Sequence, residues 1–285
     1  MHNLDAFESY DHLLIEPLAD YNWAVSFIPW RDASTNWNQF DAVIIRSPWD
    51  YQHEPDQFLR TLRNIDQSTA LLENSLQLVR WNINKYYLND LQQEGIPIVP
   101  TKWSKHLQNI DITSLFDLWS SPEIIIKPVI SAGADNTFWV NRNTPQQTHQ
   151  QMKQVFSSRA FMVQPFMQKI RSEGEFSLFY FAQAYSHTIL KTPKKGDFRV
   201  QEEHGGRLLQ VEPEAKLLSV AQKTMQTLPE DPLYARLDFV RTPDDAFALM
   251  EVELIEPSLY FNMDPHSPER FARHFARWME TKTTG

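Results

Sequence analysis

Three carboxylates near the C-terminal end, Asp238, Glu251 and Glu253, are of a type and spacing that can hold a hard cation. They lie in LYARLDFVRTPDDAFALMEVELIEPS, two apolar-alternating runs around the turn Pro243-Asp244-Asp245-Ala246, which predicts a β-hairpin. If the hairpin pivots between Asp244 and Asp245, Asp238 faces Glu251. Side-chain period two then puts Glu253 on the same face, opposite Arg236. Like charges directly opposite on a sheet destabilise it by a few tenths to about 1 kcal/mol, so a fold keeps them where something cationic sits on them. Hard oxygen ligands without His or Cys suit Mg²⁺ or Mn²⁺, ions that usually work beside phosphates. A solvated acidic strand face would carry the same residues, and a one-residue change of register in the turn would take the trio apart.

Lys127 follows Ile124, Ile125 and Ile126, where an ammonium cannot easily be buried unpaired. It precedes Pro128 and the small-residue loop Ser131-Ala132-Gly133-Ala134, whose backbone N–H groups can bend around phosphate oxygens with the lysine as point charge. The alternative is a lysine at the frayed end of an edge strand. Neither GxxxxGK[ST] nor GxGxxG occurs. Lys85, in WNINKYYL, opens a predicted helix against the helix dipole and by itself reads as a surface lysine. Gln164-Pro165-Phe166-Met167 ends a strand with a proline. Such a segment suits a flat base, with Phe166 and Met167 against its plane, and equally an ordinary core strand end.

The stretch 191–206 is long, polar and charged, and loops of more than about 12 residues are usually functional or disordered. Its Lys191, Lys194, Lys195 and Arg199 suit a transferring phosphate or a substrate carboxylate. His204, in the same stretch, reads more as a satisfied polar contact than as a base, since no HExxH occurs. Arg46-Ser47-Pro48-Trp49-Asp50 ends a predicted parallel strand, the ligand-binding edge of an α/β sheet; a turn with a capping Ser or Asp is the alternative. GxSxG is missing, so serine hydrolase chemistry has no support.

The elements that must position these residues follow from periodicity. Residues 11–20 read as a helix, 21–30 as a strand, 42–45 as a strand, and 54–66 as an amphipathic helix with Phe58, Leu62 and Ile65 on one side. This αβαβ order predicts a parallel sheet in a small lobe. A strand would normally open such a lobe, yet the first helix starts almost at once. Further on come a short strand near 71, a helix over 83–93, a strand from Ile96, a helix over 113–119 and strands over 122–130 and 160–167. The rest reads as a hairpin over 175–193, a helix over 213–228, the carboxylate hairpin and a helix over 267–281.

Composition bounds the function classes. The 285 residues can form two or three lobes. A net charge of −9 argues against a general nucleic-acid binder and leaves no polybasic membrane patch. No cysteine occurs, which removes disulfides, thiolate metal sites and a cysteine nucleophile. With no basic-then-apolar leader and no apolar run of about 18 residues, the expectation is a soluble cytoplasmic protein without membrane contact. Only seven glycines occur, and Gly133, Gly174, Gly196, Gly205 and Gly206 all fall in polar connections, where backbone conformation or close approach matters most.

In this order, a lysine-bearing helix, an IIIKP strand, a strand-end hinge, a charged loop and D-x12-E-x-E in a hairpin resemble the ATP-grasp superfamily, glutathione-synthetase-like branch. RSPWDY, RWNINKYYL, KPVISAGA, MVQPFM, EGEFSLFYF, GDFRVQEEHGG and LMEVELIEPSLY further resemble the O-ureido-serine cyclo-ligase (D-cycloserine synthetase-like) group. The resemblance covers about residues 75–265 and implies an α/β (α+β) protein. Its parts would be an N-terminal α/β lobe (1–75), a small ATP-grasp subdomain region (76–158) and a C-terminal subdomain (159–285) clasping nucleotide.

The implied activity is an ADP-forming carboxylate–amine ligase acting through an acyl phosphate on a small amino-acid-like substrate. A small-molecule phosphotransferase and a non-catalytic nucleotide-binding protein are the alternatives, and homodimerisation is left open. By the resemblance Lys85 and Lys127 bind ATP phosphates beneath the loop of Ser131, Ala132 and Gly133. Gln164, Pro165, Phe166 and Met167 take adenine, and Glu175 takes ribose. Arg199, with Lys127 and Lys191, is catalytic; Asp238, Glu251 and Glu253 hold two Mg²⁺; Arg46, Ser47, Trp49, Asp50 and His204 are substrate candidates. The third metal position is often Asn in the superfamily and is Glu253 here, which adds a negative charge.

Overall fold

The computed structural model describes residues 9–283. A 3₁₀ turn at Asp11–Leu14 runs into α1 (Ile15–Ala19), followed by β1 (Ala42–Ile44), α2 (Pro55–Asp66) and β2 (Leu71–Glu73). β1 and β2 pair in parallel, as the αβαβ order requires. Pro55 starts α2, where its missing N–H costs nothing, and Phe58, Leu62 and Ile65 are its buried stripe. The strand expected over 21–30 does not form. Its apolar residues anchor to helices instead, Trp23 against Phe275 and Trp30 against Phe58, while Phe27 stays exposed. An opening strand would lie in residues 1–8, outside the described residues.

The helix expected over 83–93 starts later, as α4 (Tyr87–Gln93), and a separate helix not expected from the sequence, α3 (Leu76–Asn82), precedes it. Ser75 caps α3 by accepting from the Leu78 N–H, a start the sequence reading overlooked. Tertiary bonds separate the helices: the Asn82 amide donates to Val252 O (2.8 Å) and accepts from Leu254 N (3.1 Å), and Lys85 N donates to Val129 O (2.8 Å). Lys85 therefore sits in the break, not in a first helical turn.

Next come β3 (Lys102–Ser104), α5 (Ile112–Leu118), β4 (Glu123–Pro128), β5 (Phe138–Asn141), α6 (Gln146–Val155) and β6 (Phe161–Pro165). The four strands form an antiparallel sheet in the order β3-β6-β4-β5, so Lys127 lies on an inner strand, not an edge. Ile124 and Ile126 face α5 and α6 with Phe116 and Phe156. Strand alternation turns Ile125 and Lys127 to the other side. β6 lies beyond the expected boundary at 158, so the small sheet extends to Pro165. The strand expected from Ile96 reduces to one bridge, Ile98 to Leu249.

The remainder is α7 (Lys169–Ser172), β7 (Glu175–Phe181), β8 (Ala184–Thr192), β9 (Arg207–Gln210), α8 (Ala215–Thr227), β10 (Tyr234–Arg241), β11 (Phe247–Glu253) and α9 (Ser267–Thr283). The five strands make an antiparallel sheet ordered β11-β10-β7-β8-β9. One face carries Leu178, Leu237, Phe239 and Val252 against Leu217 and Ala221 of α8. On the other face Phe179, Phe181 and Tyr234 lie under Phe271 and Phe275 of α9. The rest of that second face is charged and bears Glu175, Lys191, Arg236, Asp238, Glu251 and Glu253.

The carboxylate hairpin reaches its expected register by an unexpected route. Thr242 N donates to Ala246 O and Asp245 is left-handed (φ 63°), so the pivot is Asp244 rather than the bond after it. Near the turn Arg241 pairs with Phe247 and Phe239 with Leu249. A β-bulge then absorbs Met250, after which Asp238 faces Glu251 and Arg236 faces Glu253. The bulge cancels the shift of the turn.

Candidate functional site

The charged face of the five-stranded sheet and the Lys127 side of the four-stranded sheet bound one cleft of about 920 Å³, open solvent at its mouth included. One wall presents Lys127, the loop of Ser131, Ala132 and Gly133, and the strand end Gln164 to Met167. Glu175, Lys191, Asp238, Glu251 and Glu253 form the other, and Lys85 and Arg199 complete it. Residues up to 168 positions apart in sequence, Lys85 and Glu253, thus meet in one space. Gly133 and Ala134 are both left-handed (φ 58° and 59°), which bends the loop back on itself. Gln164 donates to Thr101 Oγ1 (3.0 Å), and Phe166 packs with Val99, Ile170 and Val200.

The buried charges neutralise one another. Lys85 Nζ donates to Glu251 Oε1 (2.6 Å) and to Ser131 O (2.8 Å). Lys127 Nζ lies 3.9 Å from Glu251 Oε2. Burial opposes both ammonium charges. For Lys85 the Glu251 carboxylate outweighs burial and raises the pKa, whereas Lys127, farther from Glu251 and repelled by Lys85, titrates below an ordinary lysine. Lys191 pairs with Glu175 and lies 3.5 Å from Asp238. The Arg236 guanidinium bonds Asp238 (2.9 Å) and Glu253 together. Burial works against the Asp238 anion, but Arg236 and Lys191 hold its pKa below the usual range. Glu253 is pushed up by burial and by Asp238 and Glu251 beside it, despite Arg236.

Among the described residues no three His, Asp or Glu side chains converge as ligands; each carboxylate of the trio meets a cation of the chain instead. The donor set itself fits a hard cation: oxygen only, with Asp238 directly opposite Glu251. Phosphate oxygens entering the cleft would compete for Lys85 and Lys127 and release Glu251 from them.

Arg46, Ser47, Trp49, Asp50 and His204 do not line the cleft. Arg46 and Ser47 bond Asp11, Trp49 donates to Glu256 O (2.7 Å), and Asp50 accepts from Trp30 and Arg31. The sequence reading assigned no role to Arg236, although period two already placed it on the carboxylate face. It also passed over Glu256, a buried carboxylate that accepts from Tyr51 OH (3.0 Å) and has no pattern to mark it.

The arrangement of the sheets is similar to that of the ATP-grasp ligase PsnB, solved with a minimal precursor, Mg and ADP. That structure matches with a TM-score of 0.65 and 12% identity over 98% of this chain and 100% of the other. This chain has the ATP-grasp fold. The ATP-grasp frame also matches the crystal structure of D-cycloserine synthetase DcsG, with a TM-score of 0.84 and 23% identity over 95% of both chains. In sequence the chain is 27% identical over 263 residues to the cycloserine biosynthesis protein DcsG of Streptomyces lavendulae, covering 87% of this chain and 86% of that one. Residues 1–74, the lobe preceding the ATP-grasp sheets, match the family model of the D-cycloserine synthetase DcsG N-terminal domain.

Proposed function

We propose that this chain is an ATP-dependent ligase that joins a carboxylate to a nitrogen. A small amino-acid-like acid is activated as an acyl phosphate, a nitrogen nucleophile captures it, and ADP and phosphate leave. The observation that carries this reading is the single cleft setting Lys85 and Lys127 against Arg236, Asp238, Glu251 and Glu253. No histidine lines it among the described residues, so the chemistry rests on positioning and charge rather than on a nucleophile and its base. The likeness to D-cycloserine synthetase and to PsnB supports the same reading.

Lys85 and Lys127 take phosphate oxygens of ATP, exchanging Glu251 for the nucleotide, with the Ser131–Ala134 backbone closing over them. Gln164 to Met167 hold the adenine and Glu175 the ribose. Arg199 and Arg236, with Lys191 behind them, stabilise charge on the transferring phosphoryl group. Two Mg²⁺ ions, held by Asp238, Glu251 and Glu253, would supply charge neutralisation at the phosphates. Incubating the protein with Mg·ATP, amino and ureido acids and hydroxylamine tests the proposal: acyl hydroxamate and ADP are expected. A phosphorylated hydroxyl product with no hydroxamate would replace the ligase with a kinase.

A further inference from the structure

Arg199 reaches the cleft from the connection between β8 and β9, and Asp197 beside it gathers the whole turn. The Asp197 carboxylate accepts from the backbone N–H of Phe198 (2.8 Å) and of Arg199 (3.1 Å), and from Arg199 Nε (3.1 Å) and Nη2 (2.8 Å). The Asp197 side chain is 10% exposed, whereas that of Arg199 is 37% exposed and lines the cleft. Two N–H groups of the guanidinium go to Asp197, and the others have no acceptor among the described residues. An ion pair with so open a partner adds little to stability. Its use is geometric: a carboxylate gripping two guanidinium nitrogens fixes the plane of the fork and the direction of its free edge.

A second contact fixes the turn itself. Phe198 and Val200, on either side of Arg199, pack into the apolar cluster of Phe166 and Ile170. The Phe198 ring also meets Trp139 of β5, on the four-stranded sheet, at 5.9 Å between centroids. Trp139 lies 5.8 Å from Phe166, and the Arg171 guanidinium covers both rings, at 4.4 and 4.7 Å. Arg171 is held in turn by both oxygens of Glu123 (2.9 and 3.1 Å). Trp139 is therefore a braced block against which the turn rests. Its Nε1 is buried without a hydrogen-bond partner, so the contact is made by ring area and not by the N–H.

We propose that Asp197 and Trp139 are positioning residues for Arg199: Asp197 aims the guanidinium, and Trp139, through Phe198, holds the turn at a fixed place relative to the four-stranded sheet. Neither touches the reacting atoms. The inference rests on the ligase reading for the task of Arg199 at the transferring phosphoryl group. Without the carboxylate the guanidinium would swing; without the ring the turn would lose its backing from the opposite sheet.

Binding of aluminium fluoride to the Mg·ADP complex tests this, because the fluoride mimics a phosphoryl group in transfer and needs no carboxylate substrate. In calorimetry, fluoride should tighten Mg·ADP binding to wild type, and Arg199→Ala should abolish that gain. Asp197→Ala and Trp139→Ala should each cut the gain about 10-fold, as misplacing such a group does. Asp197→Glu and Trp139→Phe should recover most of it, which a loss of general stability would not predict. Mg·ADP without fluoride, measured for every variant, is the reference against which the gain is taken. If Trp139→Ala does not fold, Phe198→Ala removes the same contact from the loop side. A full gain in folded Asp197→Ala, or in folded Trp139→Ala or Phe198→Ala, with the gain lost in Arg199→Ala, overturns the positioning role and spares the reading of Arg199. A gain absent from wild type, or kept by Arg199→Ala, removes the phosphoryl role of Arg199 and this inference with it.

Discussion

Lys85 and Glu251 are a buried pair whose charges would each be costly alone, since removing one partner leaves the other uncompensated. On the function proposed above, phosphates would take the lysine and free Glu251 toward a metal. Lys85→Met should therefore destabilise the fold and, beyond that, weaken Mg·ATP binding. Where Mg·ATP at 100 times its Kd stabilises wild type by about 2.7 kcal/mol, the variant at the same concentration should gain less than about 1 kcal/mol in a melting experiment. His187 gives a residue-level test outside the cleft. It stacks on Phe179 and its Nε2 lies 3.1 Å from Leu259 O; burial above all holds its pKa down to about 4. A base with a depressed folded pKa contributes stability above its unfolded value, near 6.5, which is lost as pH falls toward 4. Over that range wild type should lose about 3 kcal/mol more in urea unfolding than His187→Gln does.

At the scale of elements, the connection between β8 and β9 carries Arg199, whose guanidinium is bonded within the loop to Asp197 (2.8 Å). Its path depends on Gly206, where a Cβ would fall 2.0 Å from Val200 O, a backbone atom that cannot step aside cheaply. Gly206→Ala should displace the loop and, with Arg199 in the role proposed for it, lower turnover about 10- to 100-fold, the effect of misplacing such a group by an ångström, with Kd for nucleotide little changed. Equilibrium binding beside steady-state rates would separate the two. Gly174 has the same logic on the other side of the cleft: a Cβ there would lie 2.7 Å from Lys191 O, next to the Glu175–Lys191 pair.

Across the whole molecule, one of the side chains that join the N-terminal lobe to the large sheet is Asn74. Asn74 is fully buried, donates to Tyr234 O (3.0 Å) and Leu254 O (2.7 Å), and accepts from Leu233 N (2.7 Å). Asn74→Ala would leave three backbone groups unsatisfied and should reduce unfolding free energy by about 3 kcal/mol or more, measured by urea denaturation. The same junction holds Glu256 and Pro257 against Arg46, Trp49 and Tyr51. No helix among the described residues is long and apolar enough to cross a membrane.

The sequence by itself determined which residues carry charge chemistry and which strand face they occupy, because period two and the IIIK and E-x-E patterns are local. Lys127, Asp238, Glu251 and Glu253 were legible for that reason, and so were α2, the two hairpins and α9. Tertiary structure alone decided the break at Lys85, made by Asn82 turning to β11, and the Met250 bulge that restores a register the turn had shifted. It also decided that Arg46, Ser47, Trp49 and Asp50 bind the chain itself rather than the cleft, since their partners at Asp11, Arg31 and Glu256–Pro257 are remote or patternless in sequence. Pairing across more than 160 positions, as between Lys85 and Glu251, is written in no local pattern; only packing two sheets face to face creates it.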